Sequence, residues 1–272
     1  MTIPLEDNFN DIIGKAMRGL KISDSQVAEQ TGIAALEVKR LREGEFNEVA
    51  ARKIAPLLHL GADALVEAGR KSWHPFPVEL EQLALFNTPF DDVTVNSYLV
   101  WEAHSREAVA FDTGSDCTGM LDLLKSKGLK LKAIFLTHTH GDHIFDLDRL
   151  MEETGAMAYV GELEPLDGAH PVVEGSRFRF GALDIEALLT WGHSPGGITY
   201  VVNGLSLPVA IVGDSIFAGS IGGGTVSYEE ALKNNREKIL TLNDSTVICP
   251  GHGPMTTIAE EKLHNAFFTG HL

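Results

Sequence analysis

The chain has 272 residues, 44% of them hydrophobic and 22% charged, with 22 Lys/Arg against 38 Asp/Glu and a net charge of −16. That length suits one large domain, or a catalytic domain with a small appendage. The charge excludes a nucleic-acid surface spread over the whole molecule. It is uneven: residues 1–72 hold ten basic and eleven acidic residues, net −1, and the remaining 12 basic and 27 acidic residues leave −15 on the rest. Residues 1–72 read as helical. Residues 8–20 place Phe9, Ile12, Ile13, Ala16, Met17 and Leu20 on one amphipathic stripe. Ser23 is a candidate N-cap for a second helix through residue 30, and Thr31-Gly32-Ile33 is a turn. Further helices are expected over residues 34–42, 48–58 and 62–70.

Short helices joined by a glycine turn, with Ala28, Gly32, Ile33, Val38 and Leu41 as core positions, resemble the phage-repressor-type helix-turn-helix domain over residues 8–68. In that family the helix corresponding to residues 34–42 enters the major groove. The resemblance makes Lys39, Arg40 and Arg42 the candidate DNA contacts, to phosphates. The leading positions Ala34, Ala35 and Glu37 are poor base readers beside Arg, Asn or Gln. Weak DNA binding at most is expected, and the segment is read as a packing or dimerisation module compatible with a homodimer.

Residues 69–77, with Trp73 and Pro75, form the expected boundary, which gives domains 1–72 and 73–272. Beyond it, strands are expected over residues 93–101, 108–111, 133–136, 156–160, 177–180, 185–189, 198–202, 209–212 and 246–248. Helices are expected over 118–127, 144–154 and 228–241. No internal repeat or low-complexity tract interrupts this pattern.

Four blocks carry metal-ligand side chains. They are Thr137-His138-Thr139-His140-Gly141-Asp142-His143, Gly192-His193-Ser194-Pro195-Gly196, Gly213-Asp214-Ser215 and Pro250-Gly251-His252-Gly253-Pro254. His138, His140, Asp142, His143, His193, Asp214 and His252 form an imidazole and carboxylate set suited to zinc or iron(II), with manganese also compatible. His138 and His140, two apart, project to one side of an extended segment. Gly141 then turns the chain, so Asp142 and His143 face another direction, and two adjacent metals follow. The other blocks are turns after apolar strands, each delivering one ligand at a strand end.

The constellation resembles the metallo-β-lactamase-fold hydrolases, and within them the glyoxalase II-like branch, over residues 78–270. The resemblance also rests on Asn96-Ser97-Tyr98-Leu99, on Phe111-Asp112-Thr113-Gly114 and on Gly213 to Gly219. It extends through the tail carrying Glu260-Glu261 and His264-Asn265. It implies an α+β chain: an αββα sandwich preceded by the small all-α domain. It further implies that His138, His140 and His193 bind a first metal, that Asp142, His143 and His252 bind a second, and that Asp214 bridges. Asp112 would orient a ligand histidine, so Asp142 and Asp112 are the candidate catalytic carboxylates.

Two divalent cations, zinc foremost, would ionise a bridging water to hydroxide near neutral pH without a side-chain base. The expected function is metal-dependent hydrolysis of a small acyl substrate, thioester before lactone or other ester. An iron-dependent sulfur dioxygenase is the enzymatic alternative, and a DNA-binding regulator with a metal-bearing sensor domain the non-enzymatic one. Gly222-Gly223-Gly224-Thr225 lacks the basic and tyrosine contacts that glutathione recognition in the branch would supply there. Trp191, where the family usually has proline, and His264 are candidate substrate-facing or ligand-supporting residues. His59, His74, His104, His170 and His271 read as structural or solvent-facing.

Cys117 and Cys249, far apart, exclude a disulfide framework and read as small buried hydrophobes. No apolar run reaches the roughly 20 residues that span a bilayer. The acidic start Met1-Thr2-Ile3-Pro4-Leu5-Glu6-Asp7 lacks a secretory signal's basic and apolar regions, so a cytoplasmic protein with no membrane partner is expected.

Overall fold

The computed structural model describes residues 3–270, and His271 lies outside them. Five helices come first: α1 (Phe9–Leu20), α2 (Asp24–Thr31), α3 (Ala35–Arg42), α4 (Glu48–Ile54) and α5 (Ala62–Arg70). The α1 stripe is buried at Phe9, Ile12, Ile13, Ala16 and Met17. Ser23 caps α2 reciprocally, because the Gln26 amide donates to its hydroxyl at 3.4 Å and its own amide donates to Gln26 Oε1 at 2.9 Å. Gly32, at φ 66°, ends α2 in the left-handed conformation. The fourth helix stops at Ile54 rather than 58, because Pro56 cannot continue the ladder.

The rest of the chain builds two six-stranded sheets. The first contains β1 (Leu83–Phe90), β2 (Val93–Trp101), β3 (Glu107–Phe111), β4 (Lys130–Phe135), β5 (Met157–Gly161) and β6 (Ala169–Val172), in that spatial order. The second contains β7 (Arg177–Phe180), β8 (Leu183–Leu189), β9 (Ile198–Asn203), β10 (Val209–Gly213), β11 (Val247–Pro250) and β12 (Thr256–Thr257), again each beside its sequence neighbour. Between strands run α6 (Thr118–Lys127), α7 (Gly141–Ile144), α8 (Leu147–Thr154) and α9 (Tyr228–Asn234), and α10 (Ile258–His264) follows the last strand. The expected helix at 144–154 is thus two pieces, and the one at 228–241 changes after Asn234 into a π-helical turn, Asn235–Ile239. β1, β6, β12 and α10 were not anticipated from the sequence.

Strand alternation assigns each side chain to a layer. Val109 and Phe111 of β3, Ala133 and Phe135 of β4, and Val209, Ile211, Val247 and Cys249 opposite them fill the space between the sheets. Ala108, Ala110, Leu131 and Ile134 face outward onto α6 and α8. Ala210, Val212 and Ile248 face outward on the second sheet, where they join Ile239, Ile258, Phe267 and Phe268. This is the expected αββα sandwich.

The N-terminal helices share that last cluster. Ile12, Ile13, Val38, Leu41, Ile54, Leu58 and Leu65 pack in one continuous core with Val212, Ile216, Ile221 and Phe268. Burying each large aliphatic side chain contributes roughly 1.5–3 kcal/mol. Polar links reinforce the contact: the Gly61 amide donates to the Ala266 carbonyl at 2.7 Å, and the Phe76 amide to Glu260 Oε1 at 2.9 Å. The candidate DNA contacts each face a carboxylate of the same segment. Arg42 takes both oxygens of Asp24, at 2.6 and 2.7 Å. Lys39 lies 3.6 Å from Glu43, and Arg40 lies 3.8 Å from Glu37 and 3.6 Å from Glu45. No helix among the described residues is long and apolar enough to cross a membrane.

Candidate metal centre

Asp112 organises the first ligand loop. It follows β3 directly at φ 55°, an uncommon conformation for a residue with a side chain, and its carboxylate is buried. Oδ1 accepts the Thr137 amide at 2.7 Å, while Oδ2 accepts the Thr137 hydroxyl at 2.7 Å and His143 Nδ1–H at 2.8 Å. One side chain therefore fixes both the end of β4 and the ring that α7 presents.

Proton positions follow from these partners. The Thr137 hydroxyl donates its one hydrogen bond to Asp112, so toward His138 Nδ1, 3.1 Å away, it accepts. His193 Nδ1 lies 2.9 Å from the Gly223 carbonyl, and His252 Nδ1 lies 2.7 Å from the Thr94 carbonyl. A carbonyl only accepts, so both Nδ1 atoms carry the proton. In His138, His143, His193 and His252 the Nε2 atom is thereby turned toward a common point.

Two groups form there. In the first, His138 Nε2 and His193 Nε2 each lie 3.0 Å from His140 Nδ1, and Asp214 completes the set. In the second, Asp142 Oδ2 lies 3.3 Å from His252 Nε2 and 3.7 Å from His143 Nε2. Asp214 touches both. Its Oδ2 is 3.4 Å from His193 Nε2 and 3.5 Å from His252 Nε2, and its Oδ1 is 3.4 Å from His143 Nε2. All seven side chains singled out from the sequence thus converge.

The donor set fits cations. His143 Nε2 and Asp214 Oδ1 are buried without a hydrogen-bond partner, a state that ordinarily costs about 1–3 kcal/mol per group. His138 Nε2 and His193 Nε2, each with its proton on Nδ1, both present a lone pair to His140 Nδ1 at 3.0 Å, and that one nitrogen can donate to at most one of them. Gly251 makes room: a Cβ there would stand 2.2 Å from Asp214 Oδ1 and 2.5 Å from His143 Cε1. Electrostatics agree. Burial alone would depress His143 and His252, but Asp214 with Asp112 holds His143 up at about 10, and Asp214 with Asp142 holds His252 up at about 11. Burial raises the Asp214 carboxyl, yet His143 and His252 outweigh it and keep that carboxyl well below its usual range. His138 and His193 are pushed down, chiefly by burial. The centre therefore favours a carboxylate surrounded by positive charge.

Other residues support the loops. Asn96 Nδ2 donates to the Pro250 and Gly253 carbonyls at 2.9 and 2.8 Å, and the Tyr98 hydroxyl donates to Pro250 at 2.7 Å, which fixes the His252 turn from β2. Glu164 was missed by sequence reading. Its Oε1 accepts the Thr139 hydroxyl at 3.0 Å, and its Oε2 accepts the Ser194 hydroxyl at 2.9 Å and the Gly196 amide at 3.0 Å, so it ties two ligand loops together. Glu6 was also missed. The segment around it lies against Gly253, and its carboxyl is raised by burial while His252 pulls it down.

Trp191 is half-buried next to His193, and its carbonyl accepts from Asn234 Nδ2 at 2.9 Å. His264 lies elsewhere. Its Nδ1 is 2.8 Å from Glu67 Oε2 and its ring stacks on Trp73 at 4.7 Å, so it joins the helices to the sandwich instead of facing the centre. Cys249 is enclosed between the sheets and Cys117 behind the first, where burial pushes its thiol up to about 12.

Residues 90–252 match the sequence profile of the Metallo-beta-lactamase superfamily. The chain is similar to the probable metallo-hydrolase YqgX of Bacillus subtilis strain 168, with 32% identity covering 67% of this chain and 96% of the relative. It is similar to the hydroxyacylglutathione hydrolase GloC of Haemophilus influenzae, with 29% identity over 63% of this chain and 92% of that one. It is similar to the mitochondrial persulfide dioxygenase ETHE1 of Mus musculus, with 30% identity over 64% of this chain and 71% of that one. The matched stretch encloses Asp112 and all seven convergent side chains while leaving the helices of residues 9–70 outside it, and on that ground the chain belongs to the Metallo-beta-lactamase superfamily.

Proposed function

We propose that the protein is a metal-dependent hydrolase of small acyl substrates, a thioester first and a lactone or other ester next. The observation that carries this reading is Asp214 shared between two abutting ligand groups, with its Oδ1 and His143 Nε2 left unpartnered in a buried site. In this reading His138, His140 and His193 hold one divalent cation, Asp142, His143 and His252 hold the other, and Asp214 contacts both. Zinc suits the set best, with iron or manganese as alternatives. When bound, the cations would polarise an acyl carbonyl and ionise a water near neutral pH.

The chain's own residues support hydrolysis without a covalent intermediate. Ser194 donates its hydroxyl to Glu164, Ser215 donates to Thr190 Oγ1 at 3.1 Å, and both cysteines are buried with raised thiols, so none is set up as a nucleophile. Asp112 orients His143 and, through Thr137, His138. The likeness to GloC favours a thioester among acyl substrates. The likeness to ETHE1 favours, as the second reading, an iron-dependent sulfur dioxygenase.

One experiment separates them: metal content after growth in unsupplemented medium, with a thioester, lactone and phosphodiester panel run on the loaded protein and on His140→Ala. Two metals per chain and acyl hydrolysis abolished by the substitution are expected. One iron per chain with oxygen uptake on a persulfide, or hydrolysis indifferent to His140→Ala, would overturn the proposal.

A further inference from the structure

We infer that helix α1 forms one wall of the substrate cleft, and that Arg18 on it and Lys21 just past its end bind a carboxylate carried by the acyl substrate. This rests on the hydrolase reading and names the substrate class for the same site. A cavity of about 620 Å³ lies between α1 and its end, at Lys15, Arg18, Gly19 and Lys21, and the loop from Gly223 to Glu229. That volume falls in the range of small-molecule sites, roughly 300–1,000 Å³. The loop is bonded to the candidate metal centre: the Gly223 carbonyl accepts from His193 Nδ1, and the Thr225 hydroxyl donates to the His193 carbonyl. None of the seven convergent side chains lines the cavity itself; the loop lies between it and His193, held to the ring's Nδ1 and to the His193 carbonyl.

The wall is rigid. A Cβ on Gly19 would stand 2.2 Å from the Tyr228 ring, so the backbone of α1 sits directly on that ring. Lys15 is committed, donating to Asp7 Oδ2 at 2.5 Å and to the Ile221 carbonyl at 2.7 Å. Arg18 and Lys21 are exposed, and among the described residues neither has a carboxylate partner. In a chain of net charge −16, most other Lys and Arg residues of the helical segment are paired, which makes two uncommitted cations lining one cavity conspicuous.

Glu229 is the one acidic residue among the lining side chains. A guanidinium takes a carboxylate through two parallel N–H···O bonds, and an adjacent ammonium adds a third contact. The negative field of the surrounding surface disfavours polyanions and leaves a compact carboxylate as the fitting group. The sequence lacks basic residues in the Gly222 to Thr225 loop, and α1 places them across the cleft from it.

The test compares a carboxylate-bearing thioester with a neutral one of the same acyl group, using the metal-loaded wild type and the Arg18→Ala/Lys21→Ala double variant. A non-hydrolysable carboxylate-bearing thioether is titrated into both by calorimetry, and thermal unfolding checks that the variant is folded. Loss of charge-assisted contacts predicts that selectivity for the anionic thioester and affinity for the thioether both fall roughly ten- to a hundredfold. Arg18→Glu should lower both further. Hydrolysis of both thioesters with selectivity and thioether affinity unchanged in the double variant would overturn the inference and leave the hydrolase reading standing. Hydrolysis of neither thioester, with thioether binding still dependent on Arg18 and Lys21, would sink the hydrolase reading and keep the anion site.

Discussion

A metal-binding side chain is legible in a sequence because its residue type and its turn are both unusual. Four ligands within six residues, and three more on glycine-flanked strand ends, mark His138 through His252 as one donor set. Asp112 needed the family resemblance, since a lone aspartate after a strand also serves as a cap. In the structure it does both, taking the Thr137 amide and the His143 ring together. Glu164 gave no signal, because its partners are two hydroxyls and a backbone amide that only the fold brings near. Replacing Asp112 by Asn keeps the shape but removes the charge, and leaves one acceptor oxygen where three donors converge. The variant is expected to lose roughly 10–100-fold in metal affinity, read by competition against a chromogenic chelator; affinity equal to wild type would remove Asp112 from the orienting role.

Glu261 makes a second prediction at this scale. Its carboxyl is fully buried and accepts from Gly219 N, Thr256 Oγ1 and Asn265 Nδ2, yet burial outweighs these donors and pushes its pKa from 4.5 up to about 8. Between those two values the folded protein holds a proton that the unfolded chain has released. Stability is therefore complete below about pH 4.5 and declines as pH rises toward 8, by up to about 1.4 kcal/mol per pH unit. Glu261→Gln should flatten this decline, and urea unfolding at pH 5, 6.5 and 8 measures it. The same slope in both proteins would show that the group does not titrate in that window.

At the scale of elements, the sequence revealed those with a repeating apolar signature and hid the ones at edges. β1 and β6 each have a single neighbour, and each contains a proline, Pro89 and Pro171, which only an edge strand tolerates. β12 has two residues, and in α10 the buried Glu261 breaks the amphipathic pattern that marks a helix. The glycine in α1 illustrates the same limit, because sequence treats Gly19 as a helix defect. Gly→Ala inside a helix ordinarily gains up to about 1 kcal/mol. Here the added methyl meets the Tyr228 ring at 2.2 Å, and overpacking of that kind costs about 1–3 kcal/mol. Gly19→Ala should therefore destabilise, by urea midpoint, and a gain in stability would mean that α1 and Tyr228 are not in contact.

For the molecule as a whole, the sequence suggested a boundary near residue 72 because composition and period change there, and those local properties say nothing about which surfaces are shared. The structure puts α1 to α5 and the outer face of the second sheet into one apolar cluster, with Ile13, Leu41 and Leu65 in the same core as Val212, Ile248 and Phe268. His264, paired with Glu67 and stacked on Trp73, closes the edge of that contact. Two segments that bury each other's faces melt together. Calorimetry of the full chain is expected to give one transition. A chain starting at residue 73 would uncover the apolar side chains of that cluster that α1 to α5 cap where α1 meets α9 and α5 meets α10, an apolar patch of the kind that drives aggregation. It should be insoluble, or soluble only with strong binding of a hydrophobic dye. A truncated chain that stays monomeric and dye-free, beside a full chain that melts in two steps, would show that the helices are a tethered appendage and not part of one folded unit.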